Sequence, residues 1–220
     1  NGDGPSAGAP GNWQGLYFKP GSEGDFDYVN VSYAGNGGPY AYEYGHTIGI
    51  ENDGGNLNIK HSNIHDNYKN LFDWVIGPYR GDYGIYNKSG TLTISDSIID
   101  NSANGINIES GTTTISNTTI KNNEGYSAGY GIYAYGQEPL TLLNNTFSNN
   151  RRTAFVNAQI NFIHEGNISN DIIERGFRTG GYAKDGATLH SSDLPVIVNG
   201  GIIVKASETL NIALGTIIKL

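Results

Sequence analysis

The chain has 220 residues, a net charge of −8, 37% hydrophobic and 15% charged residues, 32 glycines and no cysteine. The acidic balance argues against a nucleic-acid or anionic-membrane partner. No apolar run is long enough for a spanning helix, and without cysteine there are neither disulfides nor thiolate metal sites.

Residues 1–12 are rich in Gly, Pro, Ser and Ala and read as a loop entering the first coil. Trp13–Phe18 alternates and starts a strand, and Phe26–Gly35 alternates again. Residues 36–48 form an insertion before a strand at Ile50. Residues 67–83 and 123–130 are insertions at the same place in later coils.

Between them lies Gly84–Asn122, which repeats itself. Gly84 matches Gly105, Ile85 matches Ile106, Gly90 matches Gly111, Ile94 matches Ile115, Ile99 matches Ile120 and Asn101 matches Asn122, an offset of 21 residues. Each copy holds three short apolar segments separated by Gly, Ser, Asn or Asp. None is long enough for a helix, so strands are expected, and such units bury their apolar faces only by stacking into a solenoid.

The register extends both ways. One inward column reads Ile59, Ile94, Ile115, Leu142; a second reads Ile64, Ile99, Ile120, Phe147; a third reads Ile50, Ile85, Ile106, Ile132, Phe155. Asp66, Asn101, Asn122 and Asn149 recur after the second column. These residue types tolerate left-handed backbone, so they predict a sharp corner. Insertions at one register emerge on one side of a solenoid. That side is predicted to carry Tyr40, Tyr42, Tyr44, Trp74, Tyr79, Tyr83, Tyr126 and Tyr130, with Tyr86 and Tyr133 pointing outward beside them.

Residues 154–175 make a less regular coil. From 176 to 195 the periodicity fails and the segment reads as a connection; 196–220 is again β-rich. The expected division is a β-helix domain at 1–175, a connecting segment at 176–195, and a terminal segment at 196–220 that continues or docks onto the next unit.

The stacked columns resemble the right-handed parallel β-helix of the pectin-lyase-like superfamily over roughly residues 13–170. They are most similar to repeats of large bacterial surface and secreted proteins. The resemblance implies an all-β right-handed parallel β-helix of about eight or nine coils, with the Tyr-rich insertions on one side. It implies little about activity, because the same coil carries lyases, hydrolases, adhesins and passive spacers. WQGLYF and FDYVNVSYAG resemble the opening of such units, where earlier strands commonly precede them. Residues 196–220 resemble a segment that opens a fresh unit.

Catalysis on this fold needs clustered acids on outward columns. His61, Asp96, Asn117, Asn144 form one expected outward column and Glu51, Tyr86, Asn107, Tyr133 another; each holds a single carboxylate. No catalytic residue is therefore expected. His46, His61, His65, His164 and His190 are scattered, so no metal site is expected. Calcium could find oxygen ligands at Asp25 and Asp27 or at Asp66, but without an ordered Asp-x-Asp-x-Asp loop solvated charge is the stronger reading. Thr93, Thr114, Thr141 beside Thr91 and Thr112 form short files interrupted by Asn58 and Leu140, which suits a pleated surface. Sequons fall at Asn30, Asn87, Asn117, Asn144 and Asn167.

The expected function is a non-catalytic extracellular structural protein. Its units stack head to tail into a filament or long surface rod, self-associating through Trp13, Gln14, Leu16 and Phe18 at one pole and Ile202, Val204, Leu210, Ile212 and Ile217 at the other. The chain finishes on an apolar stretch, which reads as an uncapped end. Two alternatives stand: an adhesin module that binds surface glycans through the Tyr-rich loops, and a polysaccharide lyase or glycosidase.

Overall fold

The computed structural model describes residues 7–35, 47–67, 82–125 and 129–220. Among them every strand pairing is parallel, and each full coil runs over three faces. Face A holds Leu16–Phe18, the 47–52 arm of Thr47–Lys60, the 82–88 arm of Asp82–Ser95, Asn104–Ile108, Tyr130–Ala134, Arg152–Val156, Glu174–Tyr182, Val196–Ile203 and Ile218–Lys219. Face B holds Glu23–Asp27, the 56–60 and 91–95 arms, Thr112–Ser116, Leu140–Leu143 and Phe162–Glu165. Face C holds Asn30–Ser32, Asn63–His65, Ile98–Asp100, Thr119–Lys121, Thr146–Ser148 and Ile168–Asn170. Face A thus stacks nine rungs, in line with the eight or nine coils expected. Beyond Phe162–Glu165, among the described residues, the strands Ala187–Leu189 and Leu210–Ile212 pair only with each other.

Period-2 alternation sends one residue of each rung inward. The face B column is Phe26, Ile59, Ile94, Ile115, Leu142, His164. The face C column is Val31, Ile64, Ile99, Ile120, Phe147, Ser169. The face A column is Leu16, Ile50, Ile85, Ile106, Ile132, Ala154, Phe177, Val196, Ile218. Full burial of each isoleucine contributes roughly 1.5–3 kcal/mol.

The face A column corrects one expectation. Ala154, not Phe155, faces inward; Phe155 pairs with Tyr133 and points out. The corner sets this register. Ile106 lies five residues after Asn101, and Ala154 lies five after Asn149. A slip of one residue turns every side chain to the other face.

Two corners are single residues in left-handed backbone, with φ between 45° and 68°. Tyr33, Asp66, Asn101, Asn122 and Asn149 turn the chain from face C to face A, as expected for the last four. Tyr28, His61, Asp96, Asn117, Asn144 and Gly166 turn it from B to C. His61, Asp96, Asn117 and Asn144 are therefore a corner, not an outward strand column. At the corner from A to B the same conformation falls on Gly54, Gly90 and Gly111. A Cβ on Gly90 would lie 2.2 Å from the Gly55 carbonyl oxygen, so only glycine lets the rungs close there.

From His61 and Asp66 onward, the residue after each left-handed corner is buried and polar. Asn67, Ser102, Asn123, Asn150 and Asp171 form one file; Ser62, Ser97, Thr118, Asn145 and Asn167 form another. Asn150 Nδ2 donates to the Ile120 carbonyl (2.9 Å) and to Asp171 Oδ1 (2.9 Å), while its Oδ1 accepts from Asn123 N (3.1 Å) and Asn123 Nδ2 (2.9 Å). Asn145 does the same with Ile115 and Asn167. These amides satisfy the backbone groups that the corner removes from the ladder.

Residues 176–195, expected as a connection, carry a rung. Glu174–Tyr182 pairs with Arg152–Val156 on one side and Val196–Ile203 on the other. Gly176, Gly180 and Gly181 erase the hydropathy alternation there, but Phe177 still packs inward. Residues 196–203 and 218–219 pair on in the same stack. Leu140 is likewise corrected: it pairs with Thr113 in an inward column and interrupts no outward file, whereas Asn58 does precede Thr93 in its file.

Candidate functional site, the aromatic side of face A

The alternation that points isoleucines inward sends a second file of face A outward. That file reads Tyr17, Glu51, Tyr86, Asn107, Tyr133, Phe155, Arg178, Ile197, Lys219. Aromatic rings dominate its middle. Tyr133 stacks on Phe155 with centroids 5.0 Å apart, and lies 5.3 Å from Tyr130 and 5.6 Å from Tyr135. Tyr83 lies 5.5 Å from Tyr86.

The charged groups around these rings are matched. Glu51 and Asp53 both face Lys19, at 3.6 and 3.1 Å, and Lys88 adds a contact to Asp53 at 3.3 Å. Lys19 draws the Asp53 carboxyl below its ordinary pKa. Glu174 accepts from Arg152 Nε (3.3 Å) and Arg178 Nε (2.8 Å). Arg152 also lies over the Tyr130 ring, 5.5 Å from its centroid. The Tyr86 hydroxyl donates to Glu109. Burial first, and the Glu109 bond second, push the Tyr86 phenol well above its ordinary range; burial does the same to Tyr130 and Tyr135. These tyrosines act as neutral hydroxyls and apolar surface. Each of these carboxylates already has a partner.

Of the eight aromatic residues expected on this side, Tyr40, Tyr42, Tyr44, Trp74, Tyr79 and Tyr126 lie outside the described residues. Tyr83 and Tyr130 are described, and the structure does bring them beside Tyr86 and Tyr133. The rings largely cover one another: Tyr86 and Tyr130 are each only 7% exposed. Tyr17, Tyr133, Tyr135 and Phe155 keep exposed surface.

At the N-terminal pole Trp13 donates through Nε1 to the Ser32 carbonyl (2.8 Å), and Leu16 and Phe18 pack on the core. Gln14 is exposed. At the C-terminal pole Ile202 and Leu210 are half-buried, whereas Val204, Ile212 and Ile217 are exposed beside Leu214, Ile218 and Leu220.

Asp25 accepts from Asn58 (2.7 Å); Asp27 meets His61 Nδ1 (2.8 Å) and Asp66 meets His65 Nδ1 (2.6 Å). Among the described residues no three His, Asp or Glu side chains cluster as cation ligands. The sequons at Asn87 and Asn167 are buried; those at Asn30, Asn117 and Asn144 are exposed.

One polar cluster escaped the sequence reading. His164 and Asp193 meet below the surface, with the half-buried His190 stacked on His164, although 29 residues separate the ends. The signal was there: His164 occupies the register of Leu142, an inward position.

A coil of parallel rungs, corner asparagines and three inward columns defines a parallel β-solenoid. The chain belongs to the family described as the right-handed β-helix region, which matches it over residues 11–173 and again over 46–217. Comparison with curated proteins and with solved structures found no match.

Proposed function

We propose that this chain is a non-catalytic, extracellular β-helical scaffold whose C-terminal pole stacks on the N-terminal pole of another unit. The carrying observation is a cluster of exposed apolar side chains on the last described rungs. Ile212, Ile217, Ile218 and Leu220 are exposed there, and among the described residues Ile218–Lys219 pairs only with Val196–Ile203. Among the described residues Leu16–Phe18 pairs only with the 50–52 segment. The phases agree. Ile218 and Leu16 belong to the inward column, Lys219 and Tyr17 to the outward one, so in-register addition would join core to core. A head-to-tail contact of this kind does not close on itself and makes a filament. The non-catalytic reading is supported by the paired state of Glu51, Glu109 and Glu174. The extracellular reading is supported by the resemblance of the opening strands and of 196–220 to surface-protein units.

Sedimentation velocity over a concentration series, with negative-stain electron microscopy, tests the stacking. Rods growing in multiples of one unit are expected. The exposed double substitution Ile212→Lys, Ile217→Lys should hold the protein monomeric. Monomers of the unsubstituted protein at high concentration would overturn the proposal.

A second reading, glycan contact, is favoured by one observation, the stacked and partly exposed pair Tyr133 and Phe155. A glycan array with hits lost in Tyr133→Ala supports it; no hits with the folded protein counts against it.

A further inference from the structure

Among the described residues the solenoid core opens on face B after Phe162–Glu165. Phe162–Glu165 pairs with Leu140–Leu143 on one side only, and the next strand in the chain on that side, Ala187–Leu189, pairs with Leu210–Ile212 instead. Inside the break the face A column narrows from Ile132 to Ala154 before Phe177. A cavity of about 400 Å³ results. Its apolar walls include Phe162, Phe177, Leu189, Val196, Ile202 and Leu210. Phe162 and Phe177 meet edge to face, 5.0 Å apart at 88°.

Two imidazoles also line it. His164 is 4% exposed and stacks on His190 at 3.8 Å and 8°. Asp193 faces donors only. Its Oδ1 lies 2.7 Å from His164 Nδ1 and 2.7 Å from Leu194 N, and its Oδ2 accepts from Asn167 N (3.1 Å) and Nδ2 (2.7 Å). A protonated carboxyl would set its own hydrogen against one of these donors, so Asp193 is an anion. It therefore accepts from Nδ1–H of His164, and in the uncharged imidazole tautomer with Nδ1–H it is Nε2 that holds the lone pair. No protein group among the described residues bonds that nitrogen. At the rim Lys184 and Asp185 carry opposite charges, so the mouth selects neither sign.

We propose that this cavity is a binding site for a small neutral ring compound that carries one O–H or N–H donor. The volume sits at the low end for ligand pockets, which suits a single ring. The aromatic walls take the ring, the absence of net charge at the mouth excludes ions, and His164 Nε2 accepts the donor hydrogen. The site is separate from the aromatic side of face A and shares only Ile202 and Leu210 with the C-terminal pole.

Phenol and toluene separate the claims, because they share a shape and differ in the donor. Titration calorimetry on the intact chain should show saturable binding of both, with phenol about five-fold tighter, the usual net effect of one hydrogen bond. Phenol, and not toluene, should shift the His164 Nε2 nitrogen resonance. Ala187→Trp, placed on the cavity wall, should abolish both bindings with the fold preserved by circular dichroism. Should that variant not fold, the phenol and toluene comparison on the unsubstituted chain decides alone. Absence of saturable binding, equal or reversed affinities, a static Nε2 resonance, or full binding by folded Ala187→Trp would each overturn the proposal.

Discussion

Replacing Asn150 by alanine should be among the most damaging single changes in the core. Asn150 is fully buried, and its side chain makes four hydrogen bonds: two donated, to Ile120 and Asp171, and two accepted, both from Asn123. At about 1 kcal/mol net for each, the loss comes to about 4 kcal/mol. Whole domains are stable by only about 5–15 kcal/mol, so this is a large fraction. The neighbouring Asn149 supplies the control. It is exposed, holds a φ of 56° and makes one long contact to Asn122 at 3.4 Å. Glycine adopts that backbone freely, so Asn149→Gly should change stability by less than about 0.5 kcal/mol. Urea unfolding followed by circular dichroism reads both through the midpoint at constant slope. If Asn150→Ala costs no more than about 1 kcal/mol on that scale, or no more than Asn149→Gly, the buried amides do not bind the rungs together as reasoned.

Acid should weaken the C-terminal coil in two windows. Burial depresses His190 below its ordinary 6.5, so its stabilising share, present above 6.5, is lost as pH falls through the lower folded value. Asp193 is held below 3.8 by its bonds to His164 and Asn167, which outweigh its burial, so its share is lost only at still lower pH. His190→Gln should flatten the first loss and Asp193→Asn the second, read by melting temperature against pH; unchanged profiles would contradict the assignment. Gly90→Ala should cost more than about 2 kcal/mol, since its Cβ meets the Gly55 carbonyl, whereas Gly200→Ala, at φ 75° with open space around it, should cost only the roughly 1–2 kcal/mol of left-handed strain. Incubation with pectins or alginate, with calcium, should release no unsaturated or reducing sugar ends; release would place an enzyme on this scaffold.

Much of the coil is written locally. Ile94, Ile115 and Leu142 stack because strand alternation needs only nearest neighbours, and Asn101, Asn122 and Asn149 turn the chain because their own side chains favour left-handed backbone. For that reason two inward columns and one corner were legible in the residues alone. Where the alternation is interrupted, reading by spacing slips. Counted from the preceding rung, whose loop before Ile132 has another length, Phe155 reads as inward; counted five residues from the corner, as Ile106 is from Asn101, the inward residue is Ala154, and the ladder to Tyr133 agrees. The glycines of 174–182 hid a rung that its neighbours on both sides define. The buried second residue of Asn122-Asn123, Asn144-Asn145 and Asn149-Asn150 was visible only as abundance; its burial follows from stacking, since each amide is satisfied by the next rung. The aromatic side was legible as composition, but the mutual cover of Tyr86 and Tyr130 depends on ring packing between rungs. The His164, His190, Asp193 cluster and the cavity beside it belong to tertiary structure alone. Contacts across 26 to 29 residues leave no local signature, and a core histidine reads as scattered until the coil brings its carboxylate to it.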